Sequence, residues 1–177
     1  MYNFEQIENK WRKIWQETGL FLTPKTPKSK FYLLEMFLYP SGDLHTGHFR
    51  NYSIGDVMWR YLHMKGYDLM HPFGWDAFGL PAEQAAIKRN LSPAEWTLKN
   101  IETAKTSLIK LGISHDWNTE IRTCDPNYYK WTQWIFLKLY ESGLAYRDFN
   151  YVNWCPECKT VLANEQASGG VCWRCQS

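Results

Sequence analysis

Apolar residues along the chain change their spacing several times, and each change marks an element. Phe4, Ile7, Trp11, Ile14 and Trp15 recur at helical intervals before Gly19, which predicts an amphipathic helix packed against the core. A polar, Pro-containing linker, Thr23–Lys30, separates it from Phe31–Phe37, whose largely apolar run predicts a buried strand. Pro40-Ser41-Gly42 is a turn, and a helix follows through about Lys65 with Ile54, Val57, Met58 and Tyr61 as its buried face. Tyr67–Pro72 predicts a second strand, and Pro81 starts a helix running to about Asn90. Ser92-Pro93-Ala94-Glu95 is a capping box that opens a further helix, ended by Gly112. Asp125-Pro126 opens another, expected to carry Tyr128, Trp131, Ile135 and Leu139 inward until Gly143. Leu144–Trp154 is expected to be extended.

A strand–helix–strand unit of this length calls for parallel pairing through a right-handed crossover. The predicted class is therefore α/β, a parallel sheet flanked by helices. Ligands of such sheets bind beyond the carboxyl ends of the strands, so the loops 38–48 and 73–81 should open on one edge. The expected organisation is an N-terminal helix and linker over 1–30, a nucleotide-binding half-domain over 31–154, and a small metal module over 155–177.

The 177 residues carry a net charge of only +2, which argues against a broadly basic, polyphosphate-seeking surface. No apolar run approaches the ~20 residues of a membrane span, and Met1-Tyr2-Asn3-Phe4 does not begin a signal peptide. Four of the five cysteines form two C-x-x-C pairs, which suggests a bound metal in a reducing cytoplasm rather than disulfides. Cys155, Cys158, Cys172 and Cys175, spaced C-x2-C-x13-C-x2-C, suit a closed tetrahedral zinc site of structural type. Cys124 is expected to be a packed thiol.

His45-Thr46-Gly47-His48 sits where the strand's turn becomes a helix. Residues i and i+3 share a helix face, so both imidazoles would lie over the first turn, where unpaired N–H groups and the dipole favour phosphate. Gly47 between them would allow a ligand to approach closely. His63, His71 and His115 are read as ordinary residues.

The tetrad resembles the HIGH signature of class I aminoacyl-tRNA synthetases. Its surroundings, YPSG-x-L-H-x-G-H-x-R-N-Y-x-I-G-D over residues 39–56, and Gly74-Trp75-Asp76-Ala77-Phe78-Gly79-Leu80-Pro81-Ala82-Glu83 are similar to the leucyl branch of that family. The resemblance implies the first half of the class I Rossmann-like fold with a four-cysteine zinc knuckle. It also implies ATP-dependent activation of leucine to leucyl-adenylate and transfer to tRNA(Leu), with Mg2+ accompanying ATP. His45 and His48 would be catalytic, and with Gly47 would bind ATP. Asp76 would pair with the leucine ammonium and Tyr39 would wall its side chain, while Met36 and Phe37 would offer backbone groups. The zinc would be structural, and neither membrane nor DNA is an expected partner.

Leu38 departs from the Pro common in the leucyl branch, which frees the backbone there. No Lys-Met-Ser-Lys-Ser sequence is present, so the chain is expected to be an N-terminal catalytic segment, inactive alone. A non-catalytic zinc-bearing binding module is the alternative. A small adenylyltransferase of the same superfamily fits less well, because the cysteine module and the Gly74–Glu83 stretch argue against it.

Overall fold

The computed structural model describes residues 2–177 and divides into two compact units, one reaching to Thr132 and one comprising Gln133–Ser177. In the first unit, β1 (Lys30–Tyr32) pairs in parallel with β2 (Asp68–Met70), and β3 (Gly74–Trp75) pairs in parallel with β4 (Ile121–Arg122). A single parallel bridge, Leu38 to Trp75, ties the two pairs together. Three extended stretches thus run side by side, with residues 68–76 in the middle. The parallel pairing inferred from the strand–helix–strand pattern is present.

The first stretch is not one strand over Phe31–Phe37. Pairing stops at Tyr32 and resumes at Leu38, and the register slips by one residue in between: Tyr32 faces Met70, yet Leu38 faces Trp75. One extra residue inverts side-chain alternation. Phe31, Leu33, Glu35 and Phe37 lean inward ahead of the slip, whereas Leu38 and Pro40 are buried after it. Hydrophobicity could not reveal this, because the run is apolar on both faces. Glu35, the one charged residue in it, is the one whose inward placement has the largest consequence.

α2 (Thr46–Met64) follows the turn, but its buried face differs from the expected one. Tyr52, Gly55, Trp59 and Leu62 point inward, while Ile54, Val57, Met58 and Tyr61 are exposed. The helix is apolar on more than one side, so periodicity alone could not choose. Gly55 also hides the true face, since it contributes nothing to an apolar count. α3 (Leu80–Lys88) and α4 (Pro93–Leu111) come next, α4 capped by Ser92 Oγ accepting from the Glu95 N–H at 3.1 Å and closed by Gly112 at φ 72°. The core gathers Leu38, Tyr52, Phe73, Trp75, Ile101 and Leu108.

Two further helices correct the sequence reading. α1 (Phe4–Thr18) has no buried residue; Trp15, near its end, packs on Phe21 at 5.6 Å between ring centres and lies under the Arg60 guanidinium. α5 (Pro126–Glu141) also has none, and Tyr128, Trp131, Ile135 and Leu139 are all exposed rather than inward. Periodicity shows that a face is apolar; it does not say that this chain supplies the surface that covers it. No helix among the described residues is long and apolar enough to cross a membrane.

In the second unit, residues 144–152 lack regular structure and lead to β5 (Asn153–Cys155), which pairs antiparallel with β6 (Thr160–Leu162). Cys155, Leu162 and Cys172 form its small core.

Candidate functional site

His45 caps α2. Its Nδ1 accepts from the Gly47 N–H at 3.1 Å, and His48 Nδ1 accepts from the His45 N–H at 3.3 Å. The two rings stack with centres 3.9 Å apart. Because both Nδ1 atoms act as acceptors, each neutral ring carries its proton on Nε2. Burial, and then the neighbouring His45, lower the pKa of His48. The pair therefore offers two Nε2–H donors at the positive end of a helix. Gly47 also makes room for the capping imidazole: a Cβ there would lie 2.9 Å from the His45 ring.

The preceding loop is held at several points. Leu38 is fully buried, its N–H donates to Gly74 O at 2.9 Å, and its carbonyl accepts from Asp76 N–H at 2.8 Å. The freedom expected at Leu38 is thus not realised, because a residue with an N–H continues the pairing to the edge of the site. Buried Tyr52 donates its hydroxyl to Met36 O at 3.0 Å. Burial, and then Glu35, raise the Tyr52 pKa, so the phenol stays protonated. The Asn100 amide donates to Pro40 O at 3.0 Å. The sequence reading missed both residues, although Asn100 left a signal: it stands on the buried side of α4 with Thr97, Ile101, Ala104 and Leu108. A polar side chain there must find a partner.

The loops 38–48 and 73–81 do meet. Tyr39, Pro40 and Ser41 face Asp76, Phe78, Gly79, Pro81 and Ala82 across a cavity of about 210 Å3. Asp76 is fixed through its backbone, and the next residue is tied by Ala77 N–H donating to Thr123 Oγ1 at 2.8 Å. Its carboxylate makes no hydrogen bond or ion pair among the described residues. It does not cap α3, whose N-terminal position is Gly79 with no side-chain cap. At φ 143° Gly79 lies in a backbone region that favours glycine. The side chains of Met36 and Phe37 do not line this cavity: Met36 is exposed, and the Phe37 ring packs where a Cβ on Gly74 would stand.

The four cysteines of the knuckle converge, with their sulfurs all within 4.8 Å of one another. Cys155 and Cys175 Sγ are 3.4 Å apart, and the Cys158 N–H points to Cys155 Sγ at 3.3 Å. A Zn–S length of about 2.3 Å gives a tetrahedral edge near 3.8 Å, so the donor set fits zinc. The Ser177 hydroxyl and then the Cys158 N–H lower the Cys155 pKa to about 6. The Cys175 thiol and burial push Cys158 up to about 12. Crowded thiols that cannot all ionise together are a set that a divalent cation would relieve. Cys124 packs at the edge of the main core, with its pKa raised by burial.

The sequence model of the family described as tRNA synthetases class I (I, L, M and V) matches residues 10–168. The chain belongs to this family. Similar curated relatives include leucine–tRNA ligases. A leucine–tRNA ligase of Thermotoga petrophila is 59% identical over 98% of this chain and 21% of its own length. The leucine–tRNA ligase subunit alpha of Aquifex aeolicus is likewise 59% identical over 98% of this chain, and 27% of that protein is covered. The chain thus spans about a fifth to a quarter of the length of such relatives. The crystal structure of a ternary complex of the Agrobacterium radiobacter K84 agnB2 LeuRS with tRNA and LeuAMS superposes with a TM-score of 0.89 at 45% identity. It covers all of this chain and 23% of that one. A Mycobacterium tuberculosis methionyl-tRNA synthetase bound to methionyl-adenylate matches at TM-score 0.66 and 22% identity, over 85% of this chain and 30% of that one. That match supports the Rossmann-like α/β fold alone.

Proposed function

We propose that this chain provides the leucine- and ATP-binding half of the catalytic centre of a leucine–tRNA ligase working in the cytoplasm. The observation that carries the reading is the cavity between the two loops. There an aromatic wall, Tyr39, faces Asp76, a carboxylate without a partner among the described residues. A carboxylate so placed suits an ammonium group, through a charge-assisted hydrogen bond. The leucine side chain then lies against Tyr39, and the backbone at Met36 and Phe37 borders the amino acid.

In the proposed reaction, a leucine carboxylate oxygen attacks the α-phosphorus of ATP. The new O–P bond forms as the bond to the pyrophosphate oxygen breaks, and no proton need move. The negative charge on the phosphate oxygens redistributes during the displacement. The Nε2–H groups of His45 and His48 donate to these oxygens, which is preorganised electrostatic stabilisation rather than acid–base catalysis. Gly47 keeps the capping geometry that fixes both tautomers. Mg2+ arriving with ATP would neutralise phosphate charge. The leucyl group then passes to tRNA(Leu). Cys155, Cys158, Cys172 and Cys175 would hold a zinc ion with four protein ligands, which would make it structural.

Leucine-dependent exchange between ATP and pyrophosphate tests the reading, with this chain assayed as part of a complete synthetase. Exchange that requires leucine and fails in Asp76→Ala supports it. Equal exchange in that variant, or none in the parent, overturns it in favour of a binding module.

A further inference from the structure

The inward phase of the first stretch carries Glu35 beneath the middle of α2, at Gly55, where it meets two buried histidines from separate segments. His71, on the stretch between β2 and β3, has no exposed side-chain surface, and neither does His115, just beyond α4. Gly55 makes the space for the carboxylate: a Cβ there would lie 2.2 Å from Glu35 Oε1.

Protein atoms alone can satisfy at most two of the three groups in this cluster. His71 Nδ1 lies 2.8 Å from Ser114 O, a carbonyl that can only accept, so Nδ1 carries a proton. A neutral His71 then turns the lone pair of Nε2 toward Glu35 Oε2, 2.8 Å away. Two acceptors cannot share that contact without a proton or a cation between them. A proton would satisfy these two groups and leave the third untouched. Neither ring nitrogen of buried His115 makes a hydrogen bond of normal geometry among the described residues. Its Nε2 stands 3.6 Å from the same Oε2, beyond a normal hydrogen bond.

The spacing is that of a coordination shell. One ligand atom from each residue can be chosen so that all three lie within 4.8 Å of one another. Metal–ligand bonds of about 2.0–2.1 Å give a tetrahedral edge near 3.3 Å. The two distances to Glu35 Oε2, 2.8 and 3.6 Å, straddle that value. The bond from His71 Nδ1 to a backbone carbonyl is the support that commonly orients a ligating imidazole. His115 also borders a largely apolar cavity of about 280 Å3 with Trp15, Phe21, Ile113 and Trp117.

We propose that Glu35, His71 and His115 form a metal site distinct from the cysteine knuckle, taking one divalent transition cation of the zinc type. Two imidazoles and a carboxylate suit zinc. The ion fastens the first stretch to the second and to the segment after α4. It does so next to Met36, where the substrate loop begins, so its role is to hold the floor of the site.

The test is metal analysis of the full 177-residue chain equilibrated with buffered zinc, together with zinc X-ray absorption. Glu35→Gln and His115→Phe should each lower the zinc content by one ion per chain. Cys158→Ser should leave that ion in place. The absorption spectrum of the unaltered chain should contain imidazole scattering, which a four-cysteine site lacks, and this reading needs no variant to fold. A spectrum of sulfur ligands only overturns the proposal, as does a zinc content unchanged in both Glu35→Gln and His115→Phe. Either result would leave the cluster a buried proton-bridged pair with a bystander histidine.

Discussion

His45 has two separable tasks, and one substitution can divide them. Its Nδ1 caps α2 by accepting from Gly47 N–H at 3.1 Å, and its Nε2–H is the proposed phosphate donor. His45→Ala removes both. Loss of a cap costs about 1 kcal/mol, which is roughly a fivefold loss of hydrogen-exchange protection in the first turn of α2. Loss of a preorganised donor costs on the order of 10²–10³ in the rate of adenylate formation. Asparagine is among the better N-caps, and its side-chain oxygen can take the Gly47 N–H, but it has no donor at the distance of Nε2. His45→Asn should therefore keep protection within a few tenths of a kcal/mol of the parent and still lose the rate. The assays are amide exchange on this chain and leucine-dependent pyrophosphate exchange in the complete synthetase. An Asn variant with parental exchange kinetics would refute the reasoning, because His45 would then be a cap and nothing more. Acid adds a second check. The folded pKa of His48 lies below its unfolded value of 6.5, so the unfolded chain binds the proton first as pH falls. The His48 contribution is complete above pH 6.5 and is lost as pH drops through the lowered folded value. Protonation also removes the acceptor for His45 N–H, so fraying at the start of α2 should accompany it.

Asp76→Asn keeps the shape and removes the charge. It should weaken leucine kcat/KM by roughly 1.5–3 kcal/mol while the KM for ATP stays within a few-fold, and steady-state kinetics on both substrates would show it. Gly55→Ala places a methyl group 2.2 Å from the Glu35 carboxylate, and such overpacking typically costs about 1–3 kcal/mol. The thermal midpoint should fall by roughly 2–4 °C for each kcal/mol, and an unchanged midpoint would mean that Glu35 does not occupy that niche. Cys158→Ser should raise hydrogen exchange across residues 153–175 and leave β2 and α2 unaffected. Uniform protection in that variant would show that the knuckle holds without its thiolate set.

The one-dimensional signals in this chain were those set by a local rule. Helix starts and stops at Ser92, Gly19 and Gly112 follow from caps and backbone angles, which neighbouring residues determine. The cysteine spacing and the His45–His48 interval likewise encode proximity through short segments, so the sulfurs and the two imidazoles meet as expected. Parallel pairing followed from the length of the connection, and with it the meeting of Tyr39 and Asp76 at one edge. Tertiary structure alone decided what depends on partners distant in sequence. α2 is apolar on several sides, and only the packed sheet selected Tyr52 and Trp59 over Val57 and Tyr61. The slip between Tyr32 and Leu38 cannot be read from a run whose two faces are both largely apolar, and neither can the inward phase that Glu35 shares with Phe31 and Leu33. His71 and His115 looked ordinary because each is unremarkable in its own neighbourhood. Three segments had to converge before a carboxylate and two imidazoles shared one buried space, and convergence of that kind is a property of packing, not of local sequence.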